Sequence, residues 1–117
     1  FMDSRRPFND YGRIIRDPAG VLQAIVEYKD ATDKQRAIRE VTAIFFCFKS
    51  SWLWANIDAI RPSPVTGERY LPDMIEMALR QGQKLATYQI KNPVEAMGIN
   101  RKEDLAVAEE LLGKKDY

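Results

Sequence analysis

A glutamate and a lysine two residues apart close an apolar run in Ile25-Val26-Glu27-Tyr28-Lys29. On an extended strand, residues i and i+2 share a face, so Glu27 and Lys29 would present an acid and a base together over a ligand at that strand's carboxyl end. Lys29 would face a phosphate. The plainer reading makes Glu27 a strand-end carboxylate paired with Lys29 or water, and Lys29 a solvated cation. Asn100 is the other polar residue at an informative position: with Glu103 it matches a capping box at the start of a helix. A helix amino terminus of this kind can meet a ligand as well as cap itself.

Composition removes several other chemistries. The chain of 117 residues has no histidine, so the commonest general base and transition-metal ligand is missing. Cys47 is the only cysteine, which excludes a disulfide framework or thiolate zinc site within one chain; its apolar surroundings predict a buried, inert thiol. Lys and Arg number 18 against 17 Asp and Glu, a balance that offers no electrostatic footprint for nucleic acid or an anionic membrane. No apolar stretch approaches the roughly 20 residues that span a bilayer. A cytoplasmic protein with no nucleic-acid or membrane partner is the expectation. Phe1 in first place leaves two readings open, a chain that starts inside a longer one or an expression remnant ahead of Met2.

The elements that must position Glu27 follow from pattern. Residues 1–10 carry turn formers without a period and read as an irregular lead-in. Residues 11–16 and 21–27 are β-prone runs joined by Asp17-Pro18-Ala19-Gly20, which suits a type I turn ended by a left-handed glycine; a β-hairpin follows. Thr32 and Gln35 form a capping box that opens a short helix to about Arg39. Residues 41–48 are the most continuously apolar β-type run and predict a central strand buried on both faces. Ser50 and Ser51 cap a helix with Leu53, Ile57 and Ile60 on one stripe, and residues 61–67 hold too much proline and glycine to be regular.

Pro72 fits the first turn of a further helix that Gly82 ends, with Met74, Met77, Ala78 and Gln81 in one row. Residues 85–90 read as a strand, Asn92-Pro93 as a break, and residues 94–99 as a short extended segment. The last helix places Leu105, Ala108, Leu111 and Leu112 inward and closes at Gly113, leaving residues 114–117 as a frayed tail. Trp52 and Trp54 read as a core anchor and a partly exposed residue, and the methionines as core. The order of elements gives an α/β fold, a mixed β-sheet with flanking helices in one partial domain, residues 11–113.

Taken in order, Tyr11-Gly12-Arg13-Ile14-Ile15-Arg16, Ile25-Val26-Glu27-Tyr28-Lys29-Asp30-Ala31-Thr32-Asp33, Gln35-Arg36, Glu40-Val41, Gly67-Glu68-Arg69-Tyr70-Leu71-Pro72-Asp73-Met74 and Gly98-Ile99-Asn100-Arg101 resemble the sugar-phosphate nucleotidyltransferases. The nearest likeness is to the domain that forms UDP-N-acetylglucosamine from UTP and N-acetylglucosamine 1-phosphate. Only the second half of that Rossmann-like domain is covered; the family's glycine-rich nucleotide loop and its magnesium-holding aspartate have no counterpart here. The resemblance implies that Gly12 brings backbone close to the bound sugar, that Glu27 accepts hydrogen bonds from sugar hydroxyls, and that Thr42 lies on the sugar-facing strand. Asn100 matches the asparagine that completes the magnesium site.

Thr42 and Ile44 depart from the family's usual asparagine and glycine, so threonine gives up an amide's reach and isoleucine adds bulk. The expectation is a sugar-binding half that uses Mg2+ in the intact enzyme, binds no metal alone and transfers no nucleotidyl group alone. Its partner would be a nucleotide sugar or sugar phosphate. An alternative is a non-catalytic binding or assembly module, a homo-oligomer formed through the exposed edge of a half-sheet.

Overall fold

The computed structural model describes residues 10–43 and 45–113. Most of the lead-in, Ile44 and the tail 114–117 lie outside the described residues. The chain forms two compact units, one within Ser4–Tyr88 and the other within Gln89–Tyr117.

The first unit is built on the expected hairpin, β1 (Arg13–Arg16) antiparallel to β2 (Leu22–Val26). Gly20, at φ 82°, donates its N–H to the carbonyl of Asp17, and the Asp17 carboxylate accepts from the N–H groups of Ala19 and Val21. Only a residue without Cβ takes that φ freely, which is why glycine ends the turn. Arg13 pairs with Val26, Ile14 with Ile25, Ile15 with Ala24 and Arg16 with Leu22, so Gln23 is an extra residue on β2. Such a bulge shifts parity by one and places Leu22 and Ile25, three apart, on the same face. Both are buried.

Arg13 is 4% exposed, an unusual place for a guanidinium. Its Nε donates to the carbonyl of Arg36 at 3.2 Å and one terminal nitrogen to that of Tyr11 at 2.6 Å. The guanidinium also lies 5.2 Å from the centroid of the Tyr28 ring, and that of Arg36 lies 5.0 Å from the same centroid. Arg36 Nε in turn donates to the Tyr28 carbonyl. One charge thus ties β1 to the segment after β2 and to α1 (Asp33–Arg36). The capping box at Thr32 and Gln35 is present in both directions, but α1 stops at Arg36.

Two expected strands are corrected, and with them the sheet. Residues 41–48 are not a central strand: among the described residues only Val41 forms a bridge, antiparallel to Arg13. The arithmetic of an antiparallel ladder gives the reason. With Val41 opposite Arg13, the first residue of β1, every later residue falls opposite one that precedes β1, so that strand offers no further partner. Phe45 is consequently 72% exposed, and Cys47 is exposed rather than buried. The run 85–90 forms no strand either; it straddles the boundary between the units, and Tyr88 is 83% exposed. Among the described residues the sheet is therefore two-stranded and antiparallel, not mixed, within a small α/β unit.

α2 (Ser50–Asn56) starts after Lys49, so Ser50 and Ser51 are inside it rather than capping it. A 3-10 turn, Ile57–Ala59, leads to buried Ile60. α3 (Asp73–Arg80) follows Pro72 as expected, lies against β2, and buries Met74 and Ala78 one turn apart. Gly82, at φ 68°, and Gln83 close it by donating to Leu79 and Ala78. Trp52 is half-buried and Trp54 exposed; the Trp52 indole N–H donates to Gln81 of the following helix end.

In the second unit, the Asn92 side chain accepts from Val94 N–H and opens a 3-10 turn, Pro93–Ala96, where an extended segment was expected. α4 (Lys102–Gly113) is preceded not by a capping box of Asn100 and Glu103 but by Asp104 reaching back, its carboxylate accepting from the N–H groups of Asn100 and Arg101. Burial acts to raise the Asp104 pKa, but those two N–H groups and the Arg101 guanidinium outweigh it and hold the carboxyl below its ordinary range. Asp104 and Val107 are buried, whereas Leu105 of the expected stripe is 46% exposed; the side chain of Leu112 lies outside the described residues. Among the described residues no helix is long and apolar enough to cross a membrane.

Replacing Arg13 by methionine keeps the apolar stem but removes a donor from two carbonyls and the charge from Tyr28. The expected loss is about 2 kcal/mol of unfolding free energy. Urea denaturation checks it, and an unchanged midpoint would show that the guanidinium is not what secures α1.

Candidate functional site

β2 ends at Val26, and the next residues turn: Asp30 N–H donates to the Glu27 carbonyl at 3.0 Å and Ala31 N–H to that of Tyr28 at 3.3 Å. Glu27 and Lys29 therefore sit on a turn rather than on one strand face. Both still line a common cleft of about 290 Å³, together with Asp10, Tyr28, Glu68 and Tyr70. The far wall comes from the stretch after Ser63. There the Tyr70 hydroxyl donates to Glu68 and lies 2.6 Å from Thr66 Oγ1.

Gly12 stands at the root of the hairpin beside this cleft. A Cβ built on it would meet Ile25 Cγ2 at 3.0 Å, Thr42 Cγ2 at 3.2 Å and Glu27 Oε1 at 3.4 Å. The three residues that the resemblance assigns to the sugar thus converge at one point of the first unit. The space a side chain would need is filled by Ile25 and Thr42 themselves, so the chain's own packing is reason enough for glycine here. Thr42 is held by its N–H, which donates to the Gly12 carbonyl at 2.9 Å. Its hydroxyl proton goes to the Ala43 carbonyl, leaving only oxygen lone pairs for another donor. Ile44, the second departure from the family pattern, lies outside the described residues.

Electrostatics separates the two ends of the cleft. Half-buried Glu27 has its pKa raised, first by desolvation and then by the charges of Asp73 and Asp30. Asp73, in the first turn of α3, is raised likewise by desolvation, Glu76 and Asp30. Asp10, Glu27 and Glu68 give the cleft three carboxylates, with Lys29 exposed at its rim. Carboxylates and phenols accept hydrogen bonds from hydroxyl groups, and the rings of Tyr28 and Tyr70 offer apolar surface; that is chemistry for a neutral polyol. A phosphate among these carboxylates would be repelled, and among the described residues Lys29 is the one cation of the lining to receive it.

Asn100 belongs to the second unit, is exposed, and sends its N–H to Asp104. The donors gathered there do not suit magnesium, which wants several hard oxygens in octahedral array. One neutral amide and a carboxylate already occupied by two N–H groups and Arg101 fall short of that. Among the described residues no group of three or more His, Cys, Asp or Glu could hold a metal ion.

Pattern reading missed Asp10, Tyr28, Glu68 and Tyr70. Tyr28 was hidden by assuming strand parity past Val26, and Asp10 by its place in an aperiodic lead-in. Glu68 and Tyr70 lay in a quoted motif with no periodicity to orient them.

Comparison with known proteins defines the class first: this chain matches one part of longer proteins. No protein-family model matches it. It is 40% identical over 105 residues to a protein from Pelotomaculum thermopropionicum, 43% over 102 to one from Heliobacterium modesticaldum and 41% over 106 to one from Aquifex aeolicus. These alignments take in 87–90% of this chain but only 22–23% of the relatives. Each relative is a bifunctional protein GlmU, and the chain is a partial GlmU-like domain, spanning about a quarter of the length of the curated relatives it matches. The kinship with sugar-phosphate nucleotidyltransferases suggested by the residues is thereby upheld.

Two outcomes check this geometry. Gly12→Ala should cost about 1–3 kcal/mol by overpacking against Ile25 and Thr42, and Thr42→Ser, which removes the opposing methyl, should recover part of it in a thermal unfolding series. Equal stability of Gly12→Ala and the parent would show that the hairpin root is not tightly packed.

Folded-state pKa values of Glu27 and Asp73 lie above their unfolded values. Their protonation thus supports folding fully below the ordinary carboxylate range, and that support fades as pH rises through the folded values. Asp73→Asn should bring Glu27 back toward its ordinary pKa, read from the Glu27 side-chain carboxyl by NMR titration. An unmoved Glu27 would leave desolvation and the charge of Asp30 as its causes.

Proposed function

We infer that this chain supplies the sugar-phosphate-binding half of a GlmU-like nucleotidyltransferase domain, the one that forms UDP-N-acetylglucosamine from UTP and N-acetylglucosamine 1-phosphate in the cytoplasm. The observation that carries the reading is the meeting of Gly12, Glu27 and Thr42 beside a cleft of carboxylates and phenols. Glu27 accepts hydrogen bonds from sugar hydroxyls, Thr42 offers oxygen lone pairs, and Gly12 keeps the backbone near the ligand. Lys29 at the rim takes the phosphate side. Nucleotidyl transfer depends on positioning and charge stabilisation around phosphorus. Residues for the nucleotide and for magnesium would come from the remainder of such a domain. The chain alone is accordingly a binder and not a transferase, and the parent fold is the second half of a Rossmann-like sheet.

A second reading, a non-catalytic self-assembling module, draws on the exposed Phe45 and Trp54. Titration with UDP-N-acetylglucosamine, followed by NMR or calorimetry, separates the two. Binding that weakens at least tenfold in Glu27→Ala is expected, the size of losing a hydrogen bond to a charged acceptor. No binding at millimolar ligand, with a mass that grows with concentration in light scattering, would transfer support to the assembly module.

A further inference from the structure

Ser63 is a buried hydroxyl in a proline- and glycine-rich loop where solvent-facing residues are the rule. Its backbone N–H donates to the Glu68 carbonyl at 2.7 Å, and its carbonyl accepts from Gly67 N–H at 2.8 Å, which closes residues 63–68 into a compact ring. Inside that ring Ser63 Oγ accepts from Val65 and Thr66 N–H at 3.1 and 3.0 Å. Its one proton is left over, and it goes to Asp30 Oδ1 at 2.7 Å, 33 residues away. Asp30 ends the turn that carries Glu27, Tyr28 and Lys29, the near wall of the cleft. The ring that Ser63 organises carries Glu68 and leads into Tyr70, the far wall.

We propose that Asp30 and Ser63 are positioning residues whose hydrogen bond latches the two walls of the cleft and sets its width for a sugar-sized ligand. This rests on the sugar-binding reading for its ligand, but not for the latch itself. Neither residue lines the cleft. They act through Glu27 on one side and Glu68 and Tyr70 on the other. A short bond between a hydroxyl and an ionised carboxylate is stronger than one between neutral groups, and here the serine is sheltered from competing water. Among the described residues the other hydrogen bonds of residues 63–68 run among themselves and to Tyr70, so the latch is the side-chain bond by which this loop holds the turn at Asp30.

The test compares Asp30→Ala, which removes the acceptor but leaves Ser63 free to serve its own loop, with Asp30→Asn, which keeps an oxygen for Ser63. Amide hydrogen exchange reads the latch without any ligand. Exchange at Val65, Thr66 and Gly67 should quicken about tenfold in Asp30→Ala and remain near the parent rate in Asp30→Asn, while Ile14 and Ile25 in the hairpin report that the fold is intact. UDP-N-acetylglucosamine affinity should fall by a similar factor in Asp30→Ala and recover in Asp30→Asn. Should Asp30→Ala fail to fold, Ser63→Ala replaces it, with exchange read at Asp30 and Ala31 on the opposite wall. Unchanged exchange across the loop overturns the latch, and so does an altered loop with undiminished affinity. Quickened exchange in Asp30→Ala, beside a parent that binds no UDP-N-acetylglucosamine, upholds the latch and sinks the sugar-binding reading instead.

Discussion

Burying the guanidinium of Arg13 constrains everything around the hairpin. A charge withdrawn from water must be met by oriented polar groups, and this one is met by two carbonyls and the face of Tyr28. To supply them, the chain must turn immediately after β2 so that Tyr28 comes over the sheet, and α1 must end where Arg36 offers its carbonyl. Arg36 then adds a second cation to the same ring and fastens itself to the Tyr28 carbonyl. The turn at residues 27–30, and with it the orientation of Glu27, follows from satisfying a single buried cation on the neighbouring strand.

Local signals of this kind were readable wherever one residue's chemistry is decisive. Gly20 and Gly82 lie at the positive φ their turns require, and the Thr32–Gln35 box closes as its spacing demands. Pairing could not be read so simply, because strand character depends on what lies opposite. Residues 41–48 have the composition of a buried strand, yet Val41 sits at the last rung β1 provides. Parity failed in two places for the same reason. The bulge at Gln23 reset it within β2, and the turn after Val26 ended it before Lys29.

The site was legible through resemblance more than through pattern. Gly12 and Thr42 carry no periodic signal that would bring them together, but the ladder bond from Thr42 N–H to Gly12 does so, and Glu27 completes the group from the adjacent strand end. Asn100 shows the converse. Its spacing to Glu103 matched a capping box, while the carboxylate that takes its N–H is Asp104, because an aspartate that folds back over the first turn satisfies two donors where the glutamate would satisfy one.

Charge gives the cleft its direction. Glu27, Asp30 and Asp73 come from two elements; burial first, then the charges of Asp73 and Asp30 on Glu27 and of Glu76 and Asp30 on Asp73, raises both carboxyls, a cost that packing of α3 on β2 offsets through Met74 and Ala78. For a site that must accept several hydroxyl protons while turning phosphate toward the rim, the same crowding is useful, since acceptors stand ready without side-chain rearrangement. Asp30 has a double part in that arrangement, adding to the field at Glu27 while its oxygen receives the Ser63 proton.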